Sequence, residues 1–298
     1  IGGFLESFSS LRICRICMAT KEDIQCKFHE EEFQLRTIDG HGRHCELVKD
    51  DPLLSTVYGV KRRSNLCDSQ FFHVIGGMDL DVMHDQLEGV LPKEIKLLLS
   101  KYMHRNAYFN LDVLNYRLQG FNYGAADTRN KPSEIKSVNG DSTLGQSASQ
   151  MWCLARMLPL VIGDLVPENE PHWEHFLCLL QIEEIVFAQK TTVQLAAYLS
   201  VLVDSYLREY TSLYEKPVTP KQHYMVHYPQ QIIKRGPLVR NWSMRFEAKH
   251  HYFKKLVGTI NNFKNIEYSL AKRHQALQAY LMQTNRNIFS LSLEFGPG

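Results

Sequence analysis

Between residues 81 and 103, apolar side chains fall at 82, 83, 87, 90, 91, 95, 98 and 99, close to the repeat of one helix face. Pro92 lies inside that run. It predicts a kink or a second helix start, because proline has no amide hydrogen to give the preceding turn. Residues 110–118 form a short helical pattern. Residues 147–162, 171–190 and 191–215 form long ones rich in Leu, Ile, Val and Tyr. Pro217 and Pro220 stop the last of these, and 221–234 is a further helix candidate. Residues 122–145 break the pattern with Gly, Pro and Asn, and predict an exposed loop. After the Gly236-Pro237 breaker, helices are predicted over 244–259 and 266–282. Residues 1–75 lack such periodicity. They offer strand-like stretches around 11–16 and 33–38 and a polar helical segment over 45–58, interrupted by Asp50-Asp51-Pro52. The chain therefore divides into an irregular Cys/His-containing region (1–75), a helical domain (76–233) and a basic C-terminal helical segment (234–298). The fold class is mainly α, with long helices burying apolar stripes against one another.

Composition adds modest bounds. The 298 residues are 44% hydrophobic and 22% charged, ordinary for a globular chain with a sizeable core. No apolar run approaches the roughly 18 residues of a membrane span. No signal peptide is read at the start. Seven cysteines at irregular spacing argue against a secreted disulfide framework and favour a reducing compartment, cytosol or nucleus. The opening Ile1-Gly2-Gly3-Phe4 reads like the middle of a longer protein.

Charge is uneven. From Lys234 to Arg273 ten Lys or Arg stand against two acids, Glu247 and Glu267, a local balance of +8 in a chain of net +2. By spacing alone, the stretch around Glu247 is an amphipathic helix with an i,i+4 ion pair. A carboxylate among cations and aromatics also suits an acid holding a metal ion beside a bound polyanion. Arg240, Arg245, Lys249, Lys254 and Lys255 are the candidate phosphate contacts.

Three further patterns carry candidate chemistry. Cys14-x-x-Cys17 is a zinc-type half-site that needs a second pair. His41-x-x-His44, on a Gly-rich turn, is the nominated pair, with Cys26, His29 and Cys45 in reserve; a buried cysteine pair without metal is the alternative. Asp81, His84, Asp85 and Glu88 share one helix face, which suits a metal or a catalytic carboxylate and equally describes a solvated face. His223-x-x-x-His227 shares another face and is read as packing or hydrogen bonding at a domain seam, since a metal site needs further ligands nearby. Phosphate-loop, nucleophile-elbow and kinase signatures are absent.

Several motifs in order resemble one family. Ile1-Gly-Gly-Phe-Leu-Glu-Ser-Phe-Ser9 with Cys14-Arg-Ile-Cys17-Met-Ala-Thr20, then Asp81-Val-Met-His84-Asp-Gln-Leu-Glu-Gly-Val90, then Pro220-Lys-Gln-His-Tyr-Met-Val-His-Tyr-Pro229, Gly236-Pro-Leu-Val239 and Met244-Arg-Phe-Glu-Ala-Lys249 are similar to segments of CACTA-like (En/Spm-related) DDE DNA transposases. The resemblance runs through nearly the whole chain. It implies an RNase H-like α/β catalytic domain in which two Asp and one Glu hold two divalent ions, Mg²⁺ or Mn²⁺, for DNA strand cleavage and transfer. Glu247 matches the family's last acid, and Asp81 with His84 matches an accessory motif. The family's two catalytic Asp precede the Gly-Gly-Phe segment, so both are expected upstream of Ile1, and Asp79 and Asp81 are not assigned in their place. The chain is then the C-terminal part of a transposase, inactive alone. It contains the helical insertion and the C-terminal helical part of an incomplete RNase H-like domain. The implied partner is DNA, as transposon ends and target, with self-association and a nuclear location, together with a structural Zn²⁺. Two other readings stay open: a domesticated or decayed nucleic-acid-binding protein without catalysis, and a helical scaffold with a zinc knuckle.

Overall fold

The computed structural model describes residues 2–5, 10–140, 142–260 and 263–283. Helices dominate, and among the described residues no sheet forms. The strand-like stretches near 11–16 and 33–38 contribute only isolated bridges, Arg12 to Thr20 and Cys17 to Leu35. No helix is long and apolar enough to cross a membrane. The chain forms two compact units, Ile1–Trp242 and Ser243–Gly298. The first takes in both the Cys/His-containing region and the helical region that the sequence pattern sets apart.

In the first unit, α1 (Ile38–Asp50) starts at Thr37, whose hydroxyl accepts the Gly40 amide at 3.1 Å. This helix absorbs the Gly-rich segment that the sequence suggested was a turn. The run containing Pro92 divides as the proline predicts, with Pro92 in the first turn of a new helix, but no gap separates it from what precedes. Wide π turns over Met83–Val90 lead into α2 (Leu91–Ser100), and a second π segment, Lys101–Arg105, ends it. The Leu91 amide reaches back five residues to the Gln86 carbonyl. Such π segments inside helices concentrate at functional sites. Pro92 leaves the Glu88 carbonyl without its amide one turn on, and Lys221 supplies a donor: its Nζ reaches Glu88 O at 3.2 Å and His84 O at 2.7 Å. Gly89 permits that approach, since a Cβ there would lie 2.3 Å from Lys221 Cδ.

Next come α3 (Leu111–Gly120), α4 (Ala148–Ile162), α5 (Pro171–Val186) and α6 (Val193–Tyr214), then α7 (Pro220–Tyr224) and α8 (Tyr228–Arg235). Their starts are capped as the sequence dictates: Asn110, Ser147, Thr192 and Thr219 each accept an amide from the first turn. The helices α5 and α6 pair as a hairpin, α8 lies along α6, and α2 packs on both α4 and α5. Leu91, Ile95, Leu98, Leu99, Leu154, Phe176, Leu179 and Leu199 are fully buried between them. A polar network crosses this core: buried Glu94 on α2 bonds His175 on α5 at 2.9 Å, and the Tyr206 hydroxyl on α6 donates to it at 3.3 Å. Each member is paired, which is what makes such burial tolerable.

The 122–145 segment differs from the exposed loop expected of it. Ile135, Val138 and Leu144 are buried. The Asn115 amide side chain pins Ile135 at both ends, donating to its carbonyl at 2.9 Å and accepting from its N–H at 3.0 Å. A few apolar residues in a Gly/Pro/Asn-rich stretch are enough to seat it once a backbone pair is satisfied.

The second unit contains α9 (Met244–Ile260) and α10 (Ile266–Gln283). None of its described residues is buried, and Phe246, Phe263, Tyr268, Tyr280 and Met282 are largely exposed.

Replacing Asn115 with Ala leaves both polar groups of the buried Ile135 backbone unsatisfied. A loss of about 2–3 kcal/mol is expected in urea unfolding, with faster exchange of the Ile135 amide. An unchanged midpoint would show that the segment is held by its apolar contacts alone.

Candidate metal centre

Cys14 and Cys17 sit on a tight turn near the N-terminus. Their partners are His223 and His227, not His41 and His44. One ligand atom from each of these four residues lies within 4.8 Å of all the others. Cys14 Sγ is 3.5 Å from His227 Nε2, and Cys17 Sγ is 3.4 Å from His223 Nε2. All four residues are buried, with at most 3% of their surface exposed.

Local structure explains the convergence. The Thr219 capping box and Pro220 start α7, and a 3-10 turn, Met225–His227, follows it directly. Four residues of continuous helical backbone bring His223 and His227 onto one face. The cysteine turn is held from both sides. The Arg36 amide donates to Ile16 O at 2.8 Å, Met18 donates to Gln34 O at 2.9 Å, and Tyr224 on α7 donates its hydroxyl to Ile13 O at 3.0 Å. The buried Arg36 guanidinium spans Cys14 O at 3.1 Å and Tyr58 O at 2.8 Å, so a positive charge stands beside the two sulfurs.

Two imidazole orientations are fixed differently. His227 Nδ1 faces Glu30 Oε2 at 2.5 Å, which leaves Nε2 pointing at Cys14. A carboxylate behind a ligating histidine is the usual way to fix the ring and raise its basicity. His223 Nδ1 finds no hydrogen-bond partner among the described residues, and the Phe33 ring packs edge-on at 4.8 Å. Burial pushes the Cys14 thiol up, but hydrogen bonds from Cys17 and the charge of His227 overcome it and hold Cys14 well below the ordinary thiol range. Cys17 is driven up by its bond to Cys14 and by burial. Burial opposes the charge on His227, yet Cys14 and Glu30 raise it to about 9. The cluster thus tends towards a buried thiolate–imidazolium pair. Two sulfurs and two imidazoles with no open position fit a tetrahedral structural metal ion such as zinc.

The nominated second pair lies elsewhere. On α1, His44 stacks on Tyr58 at 4.2 Å, while His41 is buried against Phe4 and Cys45. Forming a helix rather than a turn through Gly40 and Gly42 aims the two histidines away from the cysteine turn. Of the reserve candidates, Cys26 is exposed, and His29 lies 3.1 Å from Asp204. Glu30 had no sequence signal, because an acidic triplet at 30–32 reads as a solvated surface.

Beside the centre lies a cavity of about 360 Å³ lined by residues that include Cys14, Arg15, Asp81, His84, Asp85 and Lys221. Asp81 caps the π segment through the Met83 amide at 3.1 Å and meets His84 Nδ1 at 2.6 Å. Burial pushes the Asp85 carboxyl up to about 7 against the pull of Arg15 and Lys221. A carboxyl so perturbed in a cleft marks a functional-site candidate. Glu247 and the candidate cationic residues are divided between the two units. Arg240 belongs to the first unit, while Arg245, Glu247, Lys249, Lys254 and Lys255 all lie on α9 in the second. Glu247 is exposed, and Lys249 sits over the Tyr252 ring at 5.2 Å.

No protein-family model matches the chain, and no curated protein sequence matches it.

A metal ion here must displace the Cys17 proton and, below about pH 9, the His227 proton. Apparent zinc affinity is therefore expected to rise with pH from 6 to 8, by on the order of tenfold per unit for each proton displaced. Competition titration with a chromophoric chelator measures this. Cys17→Ser should remove one bound equivalent and lower stability by about 3–5 kcal/mol, as loss of a long-range cross-link does. A pH-independent affinity, or full metal content in Cys17→Ser, would contradict the assignment.

Proposed function

We propose that the chain is the C-terminal part of a DDE-type DNA transposase of the CACTA-like group, with a structural zinc at Cys14, Cys17, His223 and His227. One observation carries the reading. Three of the motifs that resemble the family, those at 14–20, 81–90 and 220–229, lie far apart in sequence yet meet in the first unit. The cysteine pair meets the His223/His227 pair, and Cys14, Asp81, His84 and Lys221 line one cavity. Unrelated chance matches have no physical reason to share a site.

In this reading the zinc fastens the cysteine turn to the helical insertion and takes no part in bond making, because four protein ligands leave no position for water or substrate. Asp81 and His84 support the helix start beside the cavity. Glu247 supplies one carboxylate to an RNase H-like site completed by two Asp of the parent protein. Together these carboxylates would hold Mg²⁺ or Mn²⁺, which when bound would supply charge stabilisation for displacement at phosphorus. Arg245, Lys249, Lys254 and Lys255 give α9 the charge to follow a phosphate backbone. The largely exposed aromatics of α9 and α10 suit helices that complete a larger domain. A parent protein that cuts and joins chromosomal DNA would act in the nucleus. A second reading, a helical scaffold stapled by zinc without catalysis, is favoured by the closed character of the four-ligand set.

Glu247→Gln in the complete parent protein is expected to abolish strand cleavage while leaving DNA affinity within about twofold. Retained cleavage would exclude Glu247 as a metal ligand. DNA binding by the present chain should weaken steeply between 50 and 200 mM salt, with a shallower slope in a Lys254→Ala/Lys255→Ala variant. Weak binding with a flat salt response would favour the scaffold.

A further inference from the structure

A second group of soft ligands converges outside the centre at Cys14. His41, Cys67 and His73 each offer a ligand atom within 4.8 Å of the others. They come from three elements: α1, the 3-10 turn Asn65–Asp68, and the residue preceding the short helical turn Val74–Gly77. Cys45 stands beside them. It follows His41 by one turn of α1, and its Sγ lies 3.7 Å from His41 Nε2.

We propose that His41, Cys67 and His73 form a second metal site that takes zinc, with Cys45, 3.7 Å from His41, as the fourth ligand once an ion draws it in. A thiol and two imidazoles select a borderline-soft ion over Mg²⁺ or Ca²⁺. Geometry also gives a reason for such a site. Residues 38–77 fold as one helix and several short turns, and Leu53 and Phe71 are left exposed. A cross-link from α1 to residues 67 and 73 would supply the order that a thin core does not.

One contact must be surrendered. His73 Nδ1 accepts the Ile75 amide at 3.0 Å and so caps the turn that follows. Binding through Nδ1 uses that lone pair directly. Binding through Nε2 puts the remaining proton on Nδ1. By either nitrogen, the Ile75 amide loses its acceptor. The second site is therefore weaker than the first, and its filling reorganises the turn at Ile75 and Gly76, whose backbone already departs from helical geometry.

The test is cobalt(II) and zinc titration of the full chain under reducing conditions, following thiolate-to-cobalt absorption and bound zinc. Wild type should fill in two steps. Cys67→Ser and His73→Asn should each lose the weaker step and keep the tighter one. Asn is chosen because its side chain can still cap Ile75. Cys17→Ser should lose the tighter step only. In wild type the Ile75 amide resonance should shift during the weaker step. A single step lost in Cys17→Ser and untouched by Cys67→Ser overturns the proposal, as does a second step that survives both Cys67→Ser and His73→Asn. Because neither outcome involves DNA or Glu247, failure here leaves the transposase reading where it stands.

Discussion

Cys14 Sγ and His227 Nε2, 3.5 Å apart, join positions separated by 213 residues, and the first unit is arranged around that junction. Four buried soft ligands cannot simply be left in a dry interior. Either they share a cation or they hold opposite charges of their own, and both cost solvation that the surroundings must offset. Arg36 and Glu30 do so from opposite sides, one beside the sulfurs and the other behind His227. Because Arg36 also ties to Tyr58 O, the requirement extends outward from the cluster to the end of the short helical turn Ser55–Tyr58.

The same junction positions the neighbouring cavity. Cys14 and Tyr224 belong to the centre's walls and also line the cavity. Lys221, two residues before His223, fills the carbonyls of His84 and Glu88 across the space that Gly89 leaves open. The helix that delivers the histidines therefore also repairs the backbone around Pro92. Any shift of α7 would disturb the imidazoles and the π segment together. Asp81, His84 and Asp85 take their places from this shared support, so the cavity and the cluster are coupled through one short helix.

Helices were legible in the sequence because their causes are local. Apolar spacing set α4, α5 and α6, and the starts read at Ser147 and Asn110 are the caps of α4 and α3. Long-range facts were not legible. The burial of Ile135 depends on Asn115, 20 residues away, and a polar composition gives no hint of it. The π turns at Met83–Val90 follow from Pro92 together with a donor, Lys221, that comes from a distant helix. At the site, Cys14-x-x-Cys17 identified half of the cluster by spacing alone. The other half was assigned to nearby His41 and His44, whereas the side chains that meet the cysteines are a pair on a helix face read as packing.

That misassignment has a physical origin. Sequence proximity favours His41 through loop-closure entropy, which rises only logarithmically with length, so a distant pair suffers only a small disadvantage. Orientation then decides. On α1 the residues at 41 and 44 are three apart and turned to different neighbours, Cys45 and Tyr58. At 223 and 227 the spacing of four, the cap at Thr219 and the carboxylate of Glu30 aim both Nε2 atoms at sulfur. A pair of metal ligands is better recognised by what fixes the rings than by distance along the chain. By that standard His41 and His73, with Cys45 and Cys67 beside them, are less fixed, since His73 still spends its Nδ1 lone pair on the Ile75 amide.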